Sequence, residues 1–293
     1  MKIIKYGEID KTPISICLGY FDAIHIGHTK IINTAKEIAS KNGLKTYVLL
    51  FTGGKNATPD IFTFFERLIK LKSLGVDGVI YQELNAKFMA KSKDEFLTDI
   101  FTFYNVKNIV VGEDFTYGKK AEGNVCHLKE FATKKGANLA VLEKVTDASG
   151  EKISSKDIKT ALIKGDVGLA NSLLGSNYFI RGKVLRGKGL GAKIGFPTAN
   201  ILAEENKLLV KDGVYLTCTI IGGKLYSCLT NVGAQPTVNG NNTVIETYIN
   251  DFSSDLYDKE ISIYFIEKIR DIVKFNSVEE LKEQLTKDLR WLK

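Results

Sequence analysis

The sequence of 293 residues lacks the features of several specialised classes of protein. No apolar run reaches the roughly 18 residues that a membrane-spanning helix needs. Residues 1–12 also lack the apolar core of a signal peptide. We therefore expect a cytoplasmic protein with no membrane partner.

Cysteine and histidine are also scarce. Cys17, Cys126, Cys218 and Cys228 lie far apart and form no C-x-x-C pair, which indicates neither a zinc site nor a disulfide framework. We expect four buried, reduced thiols. His127 stands apart from the other two histidines and is interpreted as structural, because one or two residues do not make a metal site.

Arginine is rare, although the chain is basic. Forty-one Lys and Arg residues oppose 34 Asp and Glu residues, giving a formal charge of +7, yet only five are arginines and only Arg67 precedes residue 177. This excess suits small anionic substrates, and compositional drift toward lysine would produce it equally well. Because the basic residues form no stripe with interleaved aromatic residues, a nucleic-acid partner is not expected.

The remaining composition is that of a folded protein, with 44% hydrophobic residues. The length favours two domains, at roughly 100–200 residues each. In the first half, β-branched apolar runs alternate with helical patterns, which predicts an α/β domain with a doubly wound parallel sheet. The predicted strands are residues 14–18, 46–51, 76–81, 108–112 and 138–142.

From about Tyr178 the pattern changes to strands without intervening helices, which predicts a small antiparallel β-barrel. A capping box at residues 277–280 opens a C-terminal helix that we expect to pack on the barrel. A turn at 174–177 separates the predicted domains, residues 1–176 and 177–293. The predicted barrel strands are residues 179–185, 214–221, 224–229, 244–249 and 260–266.

Residues 19–28, GYFDAIHIGH, join the first predicted strand to the first predicted helix. His25 and His28 are three residues apart at a helix start, so both can face the side where backbone N–H groups and the helix dipole favour an anion. Gly19 and Gly27 allow a phosphate to approach the backbone closely. For H-x-x-H alone, capping histidines or a chance pair would be the better interpretation, but the preceding Phe-Asp pair and the preceding strand favour the anion site.

Two features of the second half are candidates for binding or catalysis. Residues 181–200 contain five glycines and end in KIGFPTAN. Glycine number alone fits a hairpin-rich barrel as well as a phosphate loop, and no Walker pattern is present. Further on, Val244, Glu246 and Tyr248 share one face of a predicted strand, so the carboxylate lies between two largely apolar side chains. That carboxylate is either a solvated residue of the barrel exterior or a general base.

Three segments of the first half resemble the nucleotidylyltransferase superfamily, specifically the adenylyltransferase half of bacterial bifunctional riboflavin kinase/FAD synthetases. Residues 19–28 match the G-x-F-D-x-x-H-x-G-H signature, residues 110–119 the V-V-G-x-D-F-x-F-G-K loop, and residues 153–159 the I-S-S-T-x-I-R segment. The resemblance implies that His25 and His28 hold ATP phosphates. It implies nucleotide binding by a further set of residues: Gly19, Phe21, Asp22, Gly112, Asp114, Ser154, Ser155 and Lys159.

The sequence departs from the family motif at several positions, including one where lysine replaces arginine. Lys156 stands where Thr is usual and Lys159 where the family has Arg, and the loop at 52–56 lacks the His-Pro often found there. Lysine keeps the charge but loses the bidentate fork of arginine. Charge on the reacting phosphate must therefore be met mainly by Lys, His and Mg²⁺.

The second half resembles riboflavin kinases in the motifs G-x-P-T-A-N at 195–200, N-x-G-x-x-P-T at 231–237 and V-E-x-x-I-x-D-F at 245–252. The resemblance implies that Thr198 and Asn200 hold Mg²⁺ and nucleotide phosphates. It also implies that Glu246 takes the proton from the 5′-hydroxyl of riboflavin. Four more residues are implied in binding substrates, namely Lys193, Gly195, Pro197 and Arg270. A departure is Ala192, where the family commonly has Arg, and Lys193 or Arg186 can substitute for it.

Together the resemblances imply a bifunctional transferase of FAD biosynthesis. ATP phosphorylates riboflavin to FMN, and a second ATP adenylylates FMN to FAD with release of pyrophosphate; Mg²⁺ is the implied cofactor. One alternative keeps the kinase and makes the first half a degenerate flavin- or nucleotide-binding module. A purely nucleotide-binding regulator is disfavoured because Glu246, Thr198 and Asn200 are all present. No feature of the sequence specifies an oligomeric state.

Overall fold

The structure, a computed structural model, describes residues 1–53, 58–146, 150–187, 191, 194–237 and 240–292. The chain divides into two units, one formed by residues 1–58 and 64–154 and the other by residues 59–63 and 155–293. Residues 155–174, which the sequence analysis places in the first domain, therefore group with the second unit.

The first unit contains a six-stranded parallel sheet with the strand order β1-β4-β3-β2-β5-β6. Its strands are β1 Lys2–Lys5, β2 Asp10–Leu18, β3 Lys45–Thr52, β4 Gly78–Glu83, β5 Tyr104–Gly112 and β6 Asn138–Leu142. The chain runs from β2 toward one edge and later returns to β5 on the other side of β2. The carboxyl ends of β2 and β5 therefore form the switch point, where doubly wound sheets bind their ligands.

Helices cover both faces of this sheet. They are α1 Ile26–Asn42, α2 Phe64–Ser73, α3 Ala86–Met89, α4 Lys93–Phe103 and α5 Val125–Lys134. Successive residues of β2 contribute to opposite faces: Ile16 packs with Ile100 of α4, whereas Cys17 packs with Ile32 of α1. Because both faces are buried, the central strands form nearly continuous apolar runs, as parallel strands do.

The second unit opens with two helices, α6 Ser155–Lys164 and α7 Val167–Leu174, and continues as a closed antiparallel barrel. The barrel order is β10-β11-β8-β7-β12-β9. Its strands are β7 Phe179–Leu185, β8 Thr198–Ala203, β9 Gly213–Ile221, β10 Lys224–Thr237, β11 Gly240–Ile249 and β12 Glu260–Arg270. Helix α8, Val278–Asp288, and a 3₁₀ turn, Leu289–Leu292, end the described chain.

The barrel interior combines aromatic residues with a line of buried hydroxyls. The hydroxyl of Thr230 lies 2.8 Å from that of Thr217 and 2.9 Å from that of Thr247, so each buried oxygen has a hydrogen-bond partner. On β11 the inward Thr247 alternates with the outward, half-buried Glu246 and Tyr248. The outer face of β11 is therefore the face that carries the predicted base.

The predicted alternation, barrel and C-terminal helix are confirmed, and so is every predicted strand. The short edge strand β1 and the strand β8 were not predicted. The capping box is half formed: the Ser277 hydroxyl accepts the backbone N–H of Glu280, but the Glu280 carboxylate accepts the N–H of Asn276. None of the helices in the described ranges is long and apolar enough to cross a membrane.

The expectation of four buried thiols is wrong in part. All four cysteines are unpaired thiols, and Cys17 and Cys228 are buried, but Cys126 is exposed and Cys218 is half-buried. Burial raises the pKa of Cys17 strongly and that of Cys228 to about 12. Cys126 lies on α5, whose buried residues are Leu128 and Ala132.

Candidate active sites

The loop between β2 and α1 is held in an unusual backbone conformation. Phe21 and Ile24 have positive φ angles of 49° and 45°, a region that side chains other than glycine rarely adopt. Each such residue costs about 1–3 kcal/mol. Both side chains are fully buried, and this burial holds the loop in place. The strained loop delivers His25 to the amino terminus of α1.

His25 is the N-cap of α1. Its Nδ1 accepts hydrogen bonds from the backbone N–H groups of Gly27, at 3.1 Å, and His28, at 3.4 Å. Since Nδ1 accepts, the proton of the neutral ring must be on Nε2. A side chain at position 27 would place its Cβ 3.0 Å from the His25 ring, a tight contact that favours glycine there. The capping interpretation and the anion-site interpretation are therefore compatible, because they use different nitrogens.

The two histidine rings are stacked. Their centroids lie 3.9 Å apart at an interplanar angle of 21°, and the ring of Phe21 packs on His28 at 4.9 Å. The Nδ1 atom of His28 is buried and has no hydrogen-bond partner among the residues that the structure describes. This Nδ1 atom lies beneath the cap. A ligand that donates or accepts a hydrogen bond could supply the partner that it lacks.

Both rings are neutral at pH 7. Burial, followed by the charges of Lys152 and Lys70, lowers the pKa of His25 to about 4. Burial, followed by the charges of His25 and Lys152, lowers the pKa of His28 well below its usual 6.5. The pair therefore offers N–H donors to an anion without adding formal charge.

We expect the ring resonances of His25 and His28 to show no titration midpoint near pH 6.5 in the native protein when followed by two-dimensional NMR. Below pH 6.5 the unfolded chain binds protons on these rings, and native His25 does so only near pH 4. The free energy of unfolding should therefore fall as the pH drops from 6.5 toward 4. A native midpoint close to 6.5 for either ring would contradict the buried, neutral assignment.

A cavity of about 120 Å³ lies beside these histidines at the carboxyl ends of β2 and β5. We call it the histidine cavity. Its polar lining comprises His25, His28, Lys30, Gly112, Asp114, Glu143, Lys144 and Lys152. The Lys152 ammonium pairs with the carboxylate of Asp114, and this hydrogen bond lowers the pKa of Asp114. The cavity thus combines a helix amino terminus, neutral imidazoles and lysines, which together suit a phosphate group.

The structure brings some of the predicted residues to this cavity and not others. Gly112 and Asp114 line it together with the two histidines. Gly19, Phe21 and Asp22 belong to the loop beneath it and do not line it. Ser154 ends the first unit, whereas Ser155 and Lys159 lie on α6 of the second, so their phosphate role stays a prediction.

Sequence reasoning missed Lys152, although it directly precedes the I-S-S segment, and the structure places it in the lining of the cavity. His127 lies outside the lining of the cavity. Its Nδ1 lies 2.8 Å from the Tyr117 hydroxyl and its Nε2 lies 3.1 Å from Asp94, contacts that fit the structural interpretation.

A second, larger cavity of about 950 Å³ runs along the outer face of the barrel beneath α8. We call it the barrel groove. Thr198, Asn200 and Glu246 line it from the barrel strands. Helix α8 and the segment before it line it with a set of apolar residues that we call the apolar end, namely Ile272, Val273, Phe275, Val278, Leu281 and Leu285. The apolar face of α8 therefore lines a cavity rather than filling a core, and Val273 and Val278 remain 52% exposed.

The strand register aligns the polar residues of the groove in one row. Glu246 on β11 faces Asn200 on β8 and Asn231 on β10. Asn231 in turn faces Val214 on β9, which faces Arg270 on β12. Directly opposite residues have Cβ atoms about 4.5–5.5 Å apart, so the row places Glu246 between two carboxamides.

Thr198 and Asn200 lie two residues apart on the same face of β8, and both line the groove beside Pro197. A Cβ at Gly187 would lie 2.1 Å from Asn200 Nδ2, so glycine is required where this side chain packs. Gly195, with a φ of 91°, shapes the turn before Phe196 and does not line the groove. Ala192 and Lys193 lie outside the described residues.

Arg270 lines the groove, and its role in binding substrates stays a prediction. Its Nε and Nη2 donate to Asp288 Oδ2 at 3.1 and 2.7 Å. Asp288 is only 3% exposed and also accepts a hydrogen bond from Gln284. This fork-shaped pair anchors α8 to β12, a role that the sequence did not indicate because the partners belong to separate elements.

Comparison with known proteins finds a different family model for each half of the chain. A family model described as riboflavin kinase matches residues 174–293, and one described as FAD synthetase matches residues 8–157. The crystal structure of a protein named macrolide-efflux protein from Streptococcus pneumoniae has a TM-score of 0.89 to this chain and is 30% identical. That alignment covers 100% of this chain and 99% of the other.

Two curated relatives share nearly the full length. Both are named bifunctional riboflavin kinase/FMN adenylyltransferase. The protein from Bacillus subtilis is 37% identical over 93% of this chain and 89% of its own length. The protein from Escherichia coli K12 is 31% identical over 98% of this chain and 96% of its own length. This chain belongs to the family of bifunctional riboflavin kinase/FMN adenylyltransferases.

Proposed function

We propose that the barrel unit converts riboflavin to FMN with ATP, and that the α/β unit converts FMN to FAD with a second ATP. The observation that carries this proposal is the presence of two separate sites of different chemistry. The barrel groove contains a carboxylate between two carboxamides, as the activation of a hydroxyl requires. The histidine cavity contains proton donors and cations, as the binding of a polyphosphate requires.

In the barrel groove we assign Glu246 as the general base. It takes the proton of the 5′-hydroxyl of riboflavin while the oxygen of that hydroxyl attacks the γ-phosphorus of ATP. The bond to the bridging oxygen breaks and ADP leaves. Val244 and Tyr248 flank the carboxylate on the same face of β11 and limit its contact with water.

Thr198 and Asn200 are the residues that would hold Mg²⁺. They offer a hydroxyl and an amide oxygen from one face of β8, and Asn200 faces the carboxylate of Glu246. These hard oxygen donors fit Mg²⁺, which takes few protein ligands and fills its octahedron with water and phosphate oxygens. When bound, the ion would neutralise charge on the phosphates of ATP.

The apolar end of the groove fits the isoalloxazine ring. Val273 and Val278 are half exposed there, and Leu281 and Leu285 of α8 face the same space. A planar, largely apolar ring would cover these side chains and remove them from water. The Arg270–Asp288 pair holds α8 in place over this end of the groove.

In the histidine cavity no general base is required, because the phosphate of FMN is already an anionic nucleophile. An oxygen of that phosphate attacks the α-phosphorus of ATP, and pyrophosphate leaves. The Nε2–H of His25, the ring of His28 and the ammonium of Lys152 stabilise the charge that moves onto the leaving pyrophosphate. These residues position and stabilise, and none forms a covalent intermediate.

The alternative, a kinase with a degenerate first half, is less well supported. Lysine replaces arginine at 159, but the histidine cavity keeps both histidines and Asp114, and it contains Lys152.

Incubating the purified chain with riboflavin, ATP and Mg²⁺, then separating the flavins by chromatography, tests the proposal directly. We expect FMN to appear first and FAD to follow. FMN without FAD would support the degenerate alternative, and no FMN would overturn the kinase assignment.

We propose further that the independently folding kinase fragment begins at residue 155 rather than at 177. Asn171 on α7 donates to the carbonyl of Phe265 on β12 and accepts from the backbone N–H of Tyr178. Residues 59–63 add a further contact, since Lys207 Nζ donates to the carbonyl of Ile61 at 2.6 Å.

We expect the thermal midpoint of barrel unfolding to decrease from the full chain to fragment 155–293 and again to fragment 177–293. The shorter fragments lose first the contact with Ile61 and then the contacts of α6 and α7. Circular dichroism on heating measures the midpoints, and FMN production checks the fold. Equal midpoints for the two fragments would show that α6 and α7 are not part of the barrel unit.

A further inference from the structure

Asn231 borders open space on the outer face of the barrel. Its neighbour Val232 is fully buried inside the barrel, so the alternation of β10 turns Asn231 outward, where it is half-buried and lines the barrel groove. It also lines an adjoining cavity of about 340 Å³. Within the described part of the chain, its carboxamide makes no hydrogen bond. A polar group so placed has its hydrogen-bonding capacity available to a ligand.

The groove residues follow one another in a fixed order across the barrel strands. Thr198 and Asn200, the Mg²⁺ and phosphate residues of the proposed function, lie at one end, and Glu246 lies next to Asn200. Asn231 follows on the side away from the phosphates. Beyond it the row continues with Val214 and then with Arg270, which pairs with Asp288 of α8, the helix that carries part of the apolar end. A riboflavin molecule with its ring at the apolar end and its 5′-hydroxyl at Glu246 must therefore pass its ribityl chain by Asn231.

We propose that Asn231 binds the 4′-hydroxyl of the ribityl chain and thereby selects a polyol as the acceptor. This inference rests on the proposed kinase function. The 4′-hydroxyl is the neighbour of the reacting 5′-hydroxyl, and Asn231 is the neighbour of Glu246 across one strand pair. A carboxamide both donates and accepts, so it matches a hydroxyl group, which does the same.

The choice of a neutral side chain at this position also has a physical reason. A carboxylate at 231 would lie directly opposite Glu246, and like charges directly opposite on neighbouring strands are destabilising. A carboxamide supplies hydrogen bonds without opposing the negative charge of Glu246. Asn231 therefore contacts the substrate while leaving the electrostatics of the base unchanged.

The test compares two enzymes and two substrates in the full chain. Wild type should use 4′-deoxyriboflavin with a kcat/KM about tenfold lower than that for riboflavin, the cost of one unpaired polar group in a binding site. Asn231→Ala should show about the same tenfold loss with riboflavin and almost no further loss with the deoxy substrate, because each change removes the same hydrogen bond. The KM for ATP should stay near wild type in both, which also reports that the barrel is folded.

Matched variants separate this role from a structural one. Asn250→Ala removes a carboxamide that binds Asp251 just after β11, outside the groove, and should leave the discrimination between the two substrates unchanged. Asn231→Asp should lower riboflavin phosphorylation further than Asn231→Ala does. If Asn231→Ala still prefers riboflavin over the deoxy substrate tenfold, the contact with the 4′-hydroxyl is wrong. Failure of wild type to make FMN would instead overturn the proposed function on which the inference rests.

Discussion

Glu246→Gln is expected to lower riboflavin phosphorylation by about 10²-fold or more, the usual contribution of a positioned general base. The amide keeps the size of the carboxylate but cannot accept the proton of the 5′-hydroxyl. FMN adenylylation should stay near wild type, because its nucleophile is an anion and its proposed site is the histidine cavity of the other unit. The two rates are measured separately, with riboflavin and with FMN as the starting flavin.

The internal comparison makes this experiment decisive. Glu267→Gln is the matched control, because Glu267 is an exposed carboxylate on β12 that does not line the barrel groove. We expect it to leave both activities unchanged. If Glu246→Gln phosphorylates riboflavin at a rate near wild type, Glu246 is not the base. If it loses both activities together, the variant has damaged the fold rather than the chemistry of one site.

The sequence predicted the layered architecture of both units because the burial of each strand leaves a pattern in its residues. Parallel strands such as β5 are buried on both faces and form continuous apolar runs, and barrel strands such as β11 alternate. The strand β1 buries only Ile4 of its four residues, which is too little for a pattern. The strand β8 begins with the small and polar residues Thr198, Ala199 and Asn200, so this stretch was interpreted only as part of a motif.

The candidate site residues were proposed from local motifs, whereas their arrangement in space could not be predicted. Glu246 and Asn200 belong to strands that are far apart in sequence, and they become neighbours only through the closure of the barrel and its register. The same closure adds Asn231 to the row. Strand register across non-consecutive elements depends on tertiary packing, which a local spacing does not encode.

The motif also did not predict the electrostatic environment of the two histidines. The H-x-x-H spacing predicted that His25 and His28 face one side, but the depressed pKa of His25 arises from burial, Lys152 and Lys70. These two lysines follow the motif by tens of residues and approach it only in the folded unit. The assignment of the His25 proton to Nε2 likewise depends on the cap geometry.

Replacing both His25 and His28 with Ala is expected to lower FAD formation from FMN by about 10²-fold or more, mainly in kcat. Ring N–H groups in a largely buried cavity should stabilise the transition state more than the bound ATP, because charge moves onto the leaving pyrophosphate. Riboflavin phosphorylation by the same protein serves as the control and should be unchanged. Full FAD formation by the double variant would show that the adenylylation site lies elsewhere.

The cap and the chemistry of His25 can be separated by two single substitutions. His25→Ala removes both the Nδ1 acceptor that caps α1 and the Nε2 donor, and loss of a cap typically costs about 0.5–2 kcal/mol of stability. His25→Asn keeps a side-chain oxygen that can accept from the backbone N–H groups at the start of α1, but it removes the ring. We therefore expect the Asn variant to unfold at nearly the wild-type temperature and the Ala variant to unfold earlier, while both lose FAD formation to a similar extent. If His25→Asn retains FAD formation, the cap is the only function of His25, and the anion must be bound without its ring.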